Sequence, residues 1–197
     1  MDIINIQAMK GGTGTTTLAV ALASLLEQHT DLRIAVHTNK NHDDLTAAAG
    51  VPRGENVFEH GVMFRPTDDN LDPHRWDVVI VDNGHAEGRL LSEHNPHGKT
   101  HNIYLVHNDY LSLRRAVALP REDFDPNGIW VARINKEGAL GVRDVSDVLN
   151  VSNVITLPDD PKIGRAVDAG VIMRRVPAAF VPVMDAVLKL LPMKENA

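Results

Sequence analysis

The chain has 197 residues, of which 43% are hydrophobic and 23% charged, a composition that predicts one globular domain spanning residues 1–197. It contains no cysteine, which excludes disulfides, thiolate catalysis and cysteine-based metal sites. The net charge of -6 excludes a uniformly basic nucleic-acid binder, so any DNA contact must be local. There is no signal-peptide pattern and no run of about 20 apolar residues, so we expect a cytoplasmic protein that does not enter a membrane.

Apolar, β-branched runs alternate along the chain with segments of helical spacing. This alternation is typical of an α/β fold, a mostly parallel twisted sheet flanked by helices. The predicted strands cover residues 3–7, 33–37, 77–81, 102–106, 128–134 and 153–156. The predicted helices cover residues 16–28, 110–117, 140–149, 162–169 and 178–190. Residues 50–73 contain Pro, Gly, Asp and Asn, and we expect loop with short helical turns there.

Three glycines lie in KGGTGTTT, residues 10–17, between the first predicted strand and the first predicted helix. Glycine allows positive φ, so successive backbone N–H groups can converge on one anion. The N-terminus of the following helix adds partial positive charge at the same point. The segment therefore predicts a phosphate-binding loop, with a purely structural strand–helix turn as the alternative.

The same segment resembles the deviant Walker A motif, K-G-G-x-G-K-[ST]-[ST], of the ParA/MinD family of P-loop ATPases. By this resemblance Lys10 matches the lysine that reaches ATP across a dimer interface, and Thr16 matches the magnesium ligand. The resemblance implies a P-loop NTPase fold with ATP and Mg²⁺ as cofactors. The nucleotide-binding residues that it implies in this loop are Lys10, Gly11, Gly12, Thr13, Gly14, Thr15, Thr16 and Thr17.

Three further segments extend the resemblance along the chain. WDVVIVDNG, residues 76–84, resembles the Walker B strand, which implies that Asp82 holds a magnesium-bound water. YLVHNDYLSLRRA, residues 104–116, resembles the family's strand followed by p-e-y-x-S-L-R. LPDDPKIGRAVDAGV, residues 157–171, resembles the loop beside the adenine base, which implies base-side contacts at Pro158 and Asp159, with Asp160 beside them. An Asp-Pro helix start is the alternative interpretation of this last segment.

Several positions depart from the family pattern. Thr15 stands where the family has its second lysine, and a neutral hydroxyl in its place lowers phosphate affinity by about 1–3 kcal/mol. His37 and Asn39 stand where the Walker A′ element has aspartates, which leaves no carboxylate to orient water. Ala132 replaces an asparagine that recognises the base, and Asn135 lies three residues further on. We therefore predict weak nucleotide binding and poor hydrolysis, and assign no catalytic residue; His37 is a substitute base or a polar strand cap.

Basic residues gather late in the chain, and the resemblance implies that Arg165, Arg174 and Arg175 hold DNA backbone without sequence preference, in a homodimer. Ordinary surface charge is the alternative. The implied function is DNA partitioning of a plasmid, phage or chromosome, with a ParB-like centromere-binding protein as a partner. A second hypothesis is a non-hydrolysing scaffold that binds DNA or a protein independently of nucleotide. The amphipathic C-terminal segment is predicted to pack on the core.

Overall fold

The computed structural model describes residues 1–38, 42–54, 56–64, 72, 74–85, 98–119, 125 and 127–192. Eight strands form one sheet in this part of the chain: β1 (Asp2–Ala8), β2 (Ile34–Thr38), β3 (Val57–Glu59), β4 (Val62–Phe64), β5 (Val78–His85), β6 (Thr100–His107), β7 (Ile129–Ile134) and β8 (Val154–Pro158). The helices are α1 (Thr15–His29), α2 (His42–Ala49), α3 (Tyr110–Val117), α4 (Val142–Leu149), α5 (Pro161–Asp168) and α6 (Val181–Leu188), the last preceded by a 3₁₀ turn (Ala178–Phe180).

The strand order is β3-β4-β2-β5-β1-β6-β7-β8. All paired strands are parallel except β3, which runs antiparallel to β4 at the edge of the sheet. The predicted α/β fold with a mostly parallel sheet is therefore confirmed. All six predicted strands are present, with ends that differ by a few residues.

Helices cover both faces of the sheet. On one face α1 packs against Ile4 and Ile6 of β1, and its residues from Leu18 to Leu26 are all buried. On the other face Tyr104 and Trp130 pack with residues of α3 and α4. Every residue of β1 is buried because the strand lies in the middle of the sheet with apolar layers on both sides.

The expectation of loop with helical turns for residues 50–73 is wrong for residues 57–64, whereas residues 50–54, 56 and 72 are irregular as expected. Strands β3 and β4 form a hairpin there, joined by His60 and Gly61, which both have positive φ (49° and 74°). This two-residue turn matches the twist of the flanking strands. Val62 and Phe64 are fully buried, so core packing overrides the polar composition of the segment. Residues 55, 65–71 and 73 lie outside the described part.

Helix α2 was not predicted, although its sequence carries the signal. Leu45, Ala48 and Ala49 are buried, and their spacing places them on one helical face. The C-terminal prediction is confirmed, because Val183, Met184 and Val187 of α6 are buried in the main core. In the described residues we find no helix with the length and hydropathy that crossing a bilayer requires.

Candidate nucleotide-binding site

The glycine-rich loop connects β1 to α1 at the carboxyl ends of the central strands, where open α/β sheets bind their ligands. Gly12 and Gly14 have φ of 75° and 102°, a region that side chains rarely adopt. A Cβ added at Gly12 would meet no atom within 4 Å, so the loop is open on that side. Gly14 precedes the first turn of α1, whose N–H groups have no partner within the helix. The loop therefore has the backbone of an anion cradle.

Thr16 and Asp82 lie together beneath this loop. The Thr16 hydroxyl donates to Asp82 Oδ2 at 2.5 Å, and the Gly84 amide donates to Asp82 Oδ1 at 3.0 Å. Asp82 as a whole residue is 3% exposed, and the Thr38 hydroxyl donates to the Asp82 backbone oxygen at 3.1 Å. A hydroxyl and a carboxylate are oxygen ligands of the kind that Mg²⁺ prefers. The donor set therefore fits the cation implied by the sequence.

Strand β5 continues beyond the predicted end at residue 81 and includes Asp82. The pairing with β1 shifts register after the Ile6–Asp82 pair, so that Ala8 lies opposite His85, and Gly84 has a φ of 62°. This irregularity re-aims the strand end beside the loop. His85 Nδ1 consequently lies 3.8 Å from the position that a Cβ on Gly11 would occupy.

Lys10 is held within its own chain by an ion pair with Asp109, the residue before α3. Lys10 Nζ lies 3.1 Å from Asp109 Oδ2, and both side chains are more than one third exposed. Partial burial opposes ionisation of Asp109, but hydrogen bonds from the Ser112 amide and from Lys10 outweigh it and hold the pKa of Asp109 below its usual range. The loop is thus tied to α3 on one side.

A second tie joins the loop to β7 and β8 through Arg133. This guanidinium donates from Nε and Nη2 to Asp159 Oδ1 at 3.2 and 2.5 Å, and from Nη1 to the Gly12 oxygen at 3.4 Å. Sequence reasoning missed Arg133, although it directly follows Ala132 at the end of a predicted strand. Around it lies a pocket beside the loop, lined by Thr13, Gly14, Thr17, Arg133, Leu157, Pro158, Asp159, Asp160, Ile163 and Phe180.

The three residues of the loop after β8 differ in their surroundings. Pro158 ends β8 and Asp159 pairs with Arg133, and both line the pocket. Asp160 accepts a hydrogen bond from the Lys162 amide at 2.8 Å and caps α5, whose first residue is Pro161. The helix-start interpretation therefore describes Asp160.

The positions that depart from the family pattern can be located, apart from Asn39, which lies outside the described residues. Thr15 is the first residue of α1 and is 7% exposed. His37 lies within β2 opposite Val81, one residue before Thr38. Ala132 is fully buried in the cluster beneath α3 and α4. The Asn135 side-chain oxygen accepts a hydrogen bond from the Glu137 amide, so this oxygen stabilises the turn of residues 135–137.

His107 is the last residue of β6, near the Lys10–Asp109 ion pair and the Arg133 guanidinium. Burial is the largest cause of its lowered pKa, and the positive charges of Arg133 and Lys10 act in the same direction. Asp109 and Asp159 oppose this effect without cancelling it. The neutral imidazole is therefore the favoured form at this point of the site.

The three arginines implied in DNA binding are exposed and lie on α5 and the turn that follows it. The amides of Arg174 and Arg175 both donate to the Val171 oxygen. Their turn is anchored by the buried neighbours Ile172 and Met173, and the Ser24 hydroxyl of α1 donates to the Met173 oxygen at 2.8 Å. Arg174 and Arg175 are thus presented on a fixed backbone, apart from the residues that line the pocket.

A mostly parallel sheet with a glycine-rich loop between its central strand and a buried helix is the arrangement of nucleotide-binding α/β folds, the P-loop proteins among them. Comparison with solved structures narrows this class to a ParA/MinD-like fold. No protein-family model matches the sequence, and a search of curated proteins finds no match.

Three solved structures illustrate the likeness. A chain of the MinC:MinD cell division protein complex of Aquifex aeolicus has a TM-score of 0.72 at 17% identity, with 100% of each chain covered. The septum site-determining protein MinD of Pyrococcus horikoshii OT3, complexed with Mg-ADP, has a TM-score of 0.68 at 17% identity, again with 100% of each chain covered. A ParA family ATPase of Chlorobium tepidum TLS has a TM-score of 0.66 at 16% identity, covering 95% of this chain and 98% of that one.

Proposed function

We propose that residues 1–197 are one ParA-like domain that binds ATP with Mg²⁺ weakly, hydrolyses it poorly and serves in DNA partitioning. The observation that carries the proposal is the Thr16–Asp82 hydrogen bond beneath an open glycine-rich loop. A surface turn without a ligand has no need of a buried carboxylate paired with a hydroxyl at this position. The Mg-ADP complex of the structurally similar MinD supports nucleotide as the ligand.

The residues of the loop divide the binding between them. Backbone N–H groups of residues 11–17 receive the phosphates, and the hydroxyls of Thr16 and Thr17 face the same ligand. Thr16 and Asp82 would hold Mg²⁺. The cation supplies charge neutralisation to the phosphates when it is bound. Pro158 and Asp159 border the base side of the pocket.

Weak binding and slow turnover follow from the side chains that replace the family's charged groups. Thr15 offers one neutral hydroxyl, which costs about 1–3 kcal/mol of phosphate affinity relative to a lysine. Phosphoryl transfer depends on positioning and charge neutralisation, and His37 provides no carboxylate to orient water. We therefore expect nucleotide to act mainly through binding.

A homodimer with a DNA-binding face completes the proposal. The Lys10 side chain is 39% exposed and its ion pair with Asp109 contributes little to stability in water, so Lys10 is available to the nucleotide of a second copy. Arg165, Arg174 and Arg175 then hold DNA phosphates without sequence preference. A ParB-like centromere-binding protein is the partner that this function calls for.

A second candidate function is a scaffold that binds DNA or a protein independently of nucleotide. The two ties of the loop favour it, since Lys10 and Arg133 both contact acceptors of the same chain. A loop whose polar groups already contact other residues of the same chain gains less free energy from binding a ligand.

Retention of a DNA duplex of mixed sequence, with and without Mg-ATP, separates the two functions. The nucleotide-dependent DNA-partitioning function predicts retention that rises at least several-fold with Mg-ATP and is lost in the Arg174→Ala/Arg175→Ala variant. Lys99→Ala, a basic residue next to β6, is the matched control and should leave retention unchanged. Retention that ignores nucleotide supports the scaffold, and no retention in either condition contradicts the DNA-binding part of both.

A further inference from the structure

Arg133 connects two loops that border the candidate nucleotide pocket. It lies at the carboxyl end of β7, 26 residues before Asp159 and 121 residues after Gly12. All of its hydrogen bonds to Asp159 fall on one oxygen, Oδ1, and its bond to the Gly12 oxygen is long at 3.4 Å. The guanidinium is therefore placed at the glycine-rich loop with donors that are only partly used.

The Arg133 guanidinium lies close to the anion cradle of the glycine-rich loop. Its Nη1 lies 4.0 Å from the point where a Cβ on Gly14 would be, and it lines the pocket together with Thr13 and Thr17. The loop itself carries a neutral threonine, Thr15, at the position where the family's Walker A motif has its second lysine. Arg133 thus brings a permanent positive charge to the site from a neighbouring strand.

The ion pair with Asp159 is suited to exchange. The side chains of Arg133 and Asp159 are 31% and 39% exposed, and such exposed pairs contribute little to stability. A diphosphate group offers several oxygens and more negative charge than one carboxylate oxygen, and arginine binds it with two parallel hydrogen bonds. Exchange of Asp159 for phosphate is therefore favourable when nucleotide enters.

We propose that Arg133 is a phosphate-binding residue of this site. Its side chain leaves Asp159 and binds the phosphates of a nucleoside di- or triphosphate, and its charge replaces the one that is absent at Thr15. The inference rests on the proposed nucleotide-binding function. In this arrangement Asp159 competes with the ligand for Arg133, and its own contact with the base is not required.

The opposite roles of the two residues give the test its design. Affinity for Mg-ADP and for inorganic pyrophosphate is measured by calorimetry on the wild type, Arg133→Gln, Arg133→Lys and Asp159→Asn. Arg133→Gln should lower both affinities about 10- to 100-fold, and Arg133→Lys should lose less because it keeps the charge. Asp159→Asn should raise both affinities about 2- to 5-fold because the competitor is neutralised. Arg143→Ala, an exposed arginine on α4, is the control and should change neither.

Other outcomes overturn the inference in distinguishable ways. Parallel losses in Arg133→Gln and Asp159→Asn mean that the pair only ties the two loops together. An effect on Mg-ADP without an effect on pyrophosphate places Arg133 on the base or ribose. Wild-type binding that Arg133→Gln leaves unchanged refutes this inference alone, whereas absence of wild-type binding to both ligands refutes the proposed function with it. Arg133→Lys keeps the comparison possible if the glutamine variant does not fold.

Discussion

Thr15 limits the strength of the proposed nucleotide binding, because it is neutral where the family motif has a lysine. Because it is the first residue of α1, a lysine there extends from the helix N-terminus toward the anion cradle. We expect Thr15→Lys to raise ATP affinity by about 10-fold or more, since a charge-assisted hydrogen bond replaces a neutral one. Calorimetry on Thr15→Lys, with Thr15→Gln as the uncharged control, measures the change. Equal affinity in the lysine variant and the wild type contradicts an open phosphate site.

His107 carries a pH-dependent part of the stability. Its folded-state pKa is lowered, chiefly by burial, so the unfolded chain binds a proton more readily than the folded chain. The free energy of unfolding therefore falls as pH drops through the ordinary histidine range, about pH 7 to 5. We expect His107→Gln to lose less stability over this range than the wild type, measured as the urea midpoint at each pH. Equal losses in the two proteins contradict a partly buried, neutral His107.

At the scale of elements, the contact between α2 and α5 depends on two glycines that follow these helices. Gly50 has a φ of 67°, and a Cβ there would lie 1.9 Å from the Gly170 backbone oxygen. We expect Gly50→Ala to lower the free energy of unfolding by about 2–4 kcal/mol, since strain and clash add. Gly164→Ala in α5, with no atom within 4 Å of its Cβ, should instead stabilise by about 0.5–1 kcal/mol. A small effect at Gly50 contradicts the close helix contact.

The elements also show what the sequence predicts and what it does not. Long apolar runs such as β1 and α1 are predictable because their burial is continuous and their periodicity repeats over many residues. Strands β3 and β4 have three residues each, too few for a period, and their turn depends on positive φ at His60. The fold of the central sheet therefore follows from pattern, and its edge does not.

The site divides in the same way. Thr16 and Asp82 were predicted by motif, since each lies at a fixed place in a loop or a strand, and the structure brings them within hydrogen-bonding distance. Arg133 directly follows Ala132 in a segment compared with the family pattern, but the sequence assigned it no role, because its partners Gly12 and Asp159 are distant in sequence. The pairing of β1 with β6 and of β6 with β7 brings it beside the glycine-rich loop, and the pairing of β7 with β8 brings it beside Asp159. Side chains that act through tertiary proximity are the ones that pattern alone misses.

At the scale of the whole molecule, the charge of -6 bears on the proposed DNA binding, which we expect to be sensitive to ionic strength. Repulsion between DNA and an acidic protein must be overcome by a small arginine patch, so few phosphate contacts carry the interaction. If Arg165, Arg174 and Arg175 supply three contacts per copy, a dimer should show a slope of about -5 in log affinity against log salt. A filter-binding titration over several salt concentrations measures it, and a slope near zero contradicts backbone binding.

In the proposed function the glycine-rich loop, Thr16 and Asp82 form a working nucleotide site. Calorimetric titration of the wild-type protein with ATP, in the presence of Mg²⁺ and again with EDTA, tests it most directly. We predict measurable binding with Mg²⁺ that weakens at least several-fold in EDTA, and an Asp82→Asn variant that no longer distinguishes the two conditions. Absence of heat at millimolar ATP with Mg²⁺ would contradict the claim.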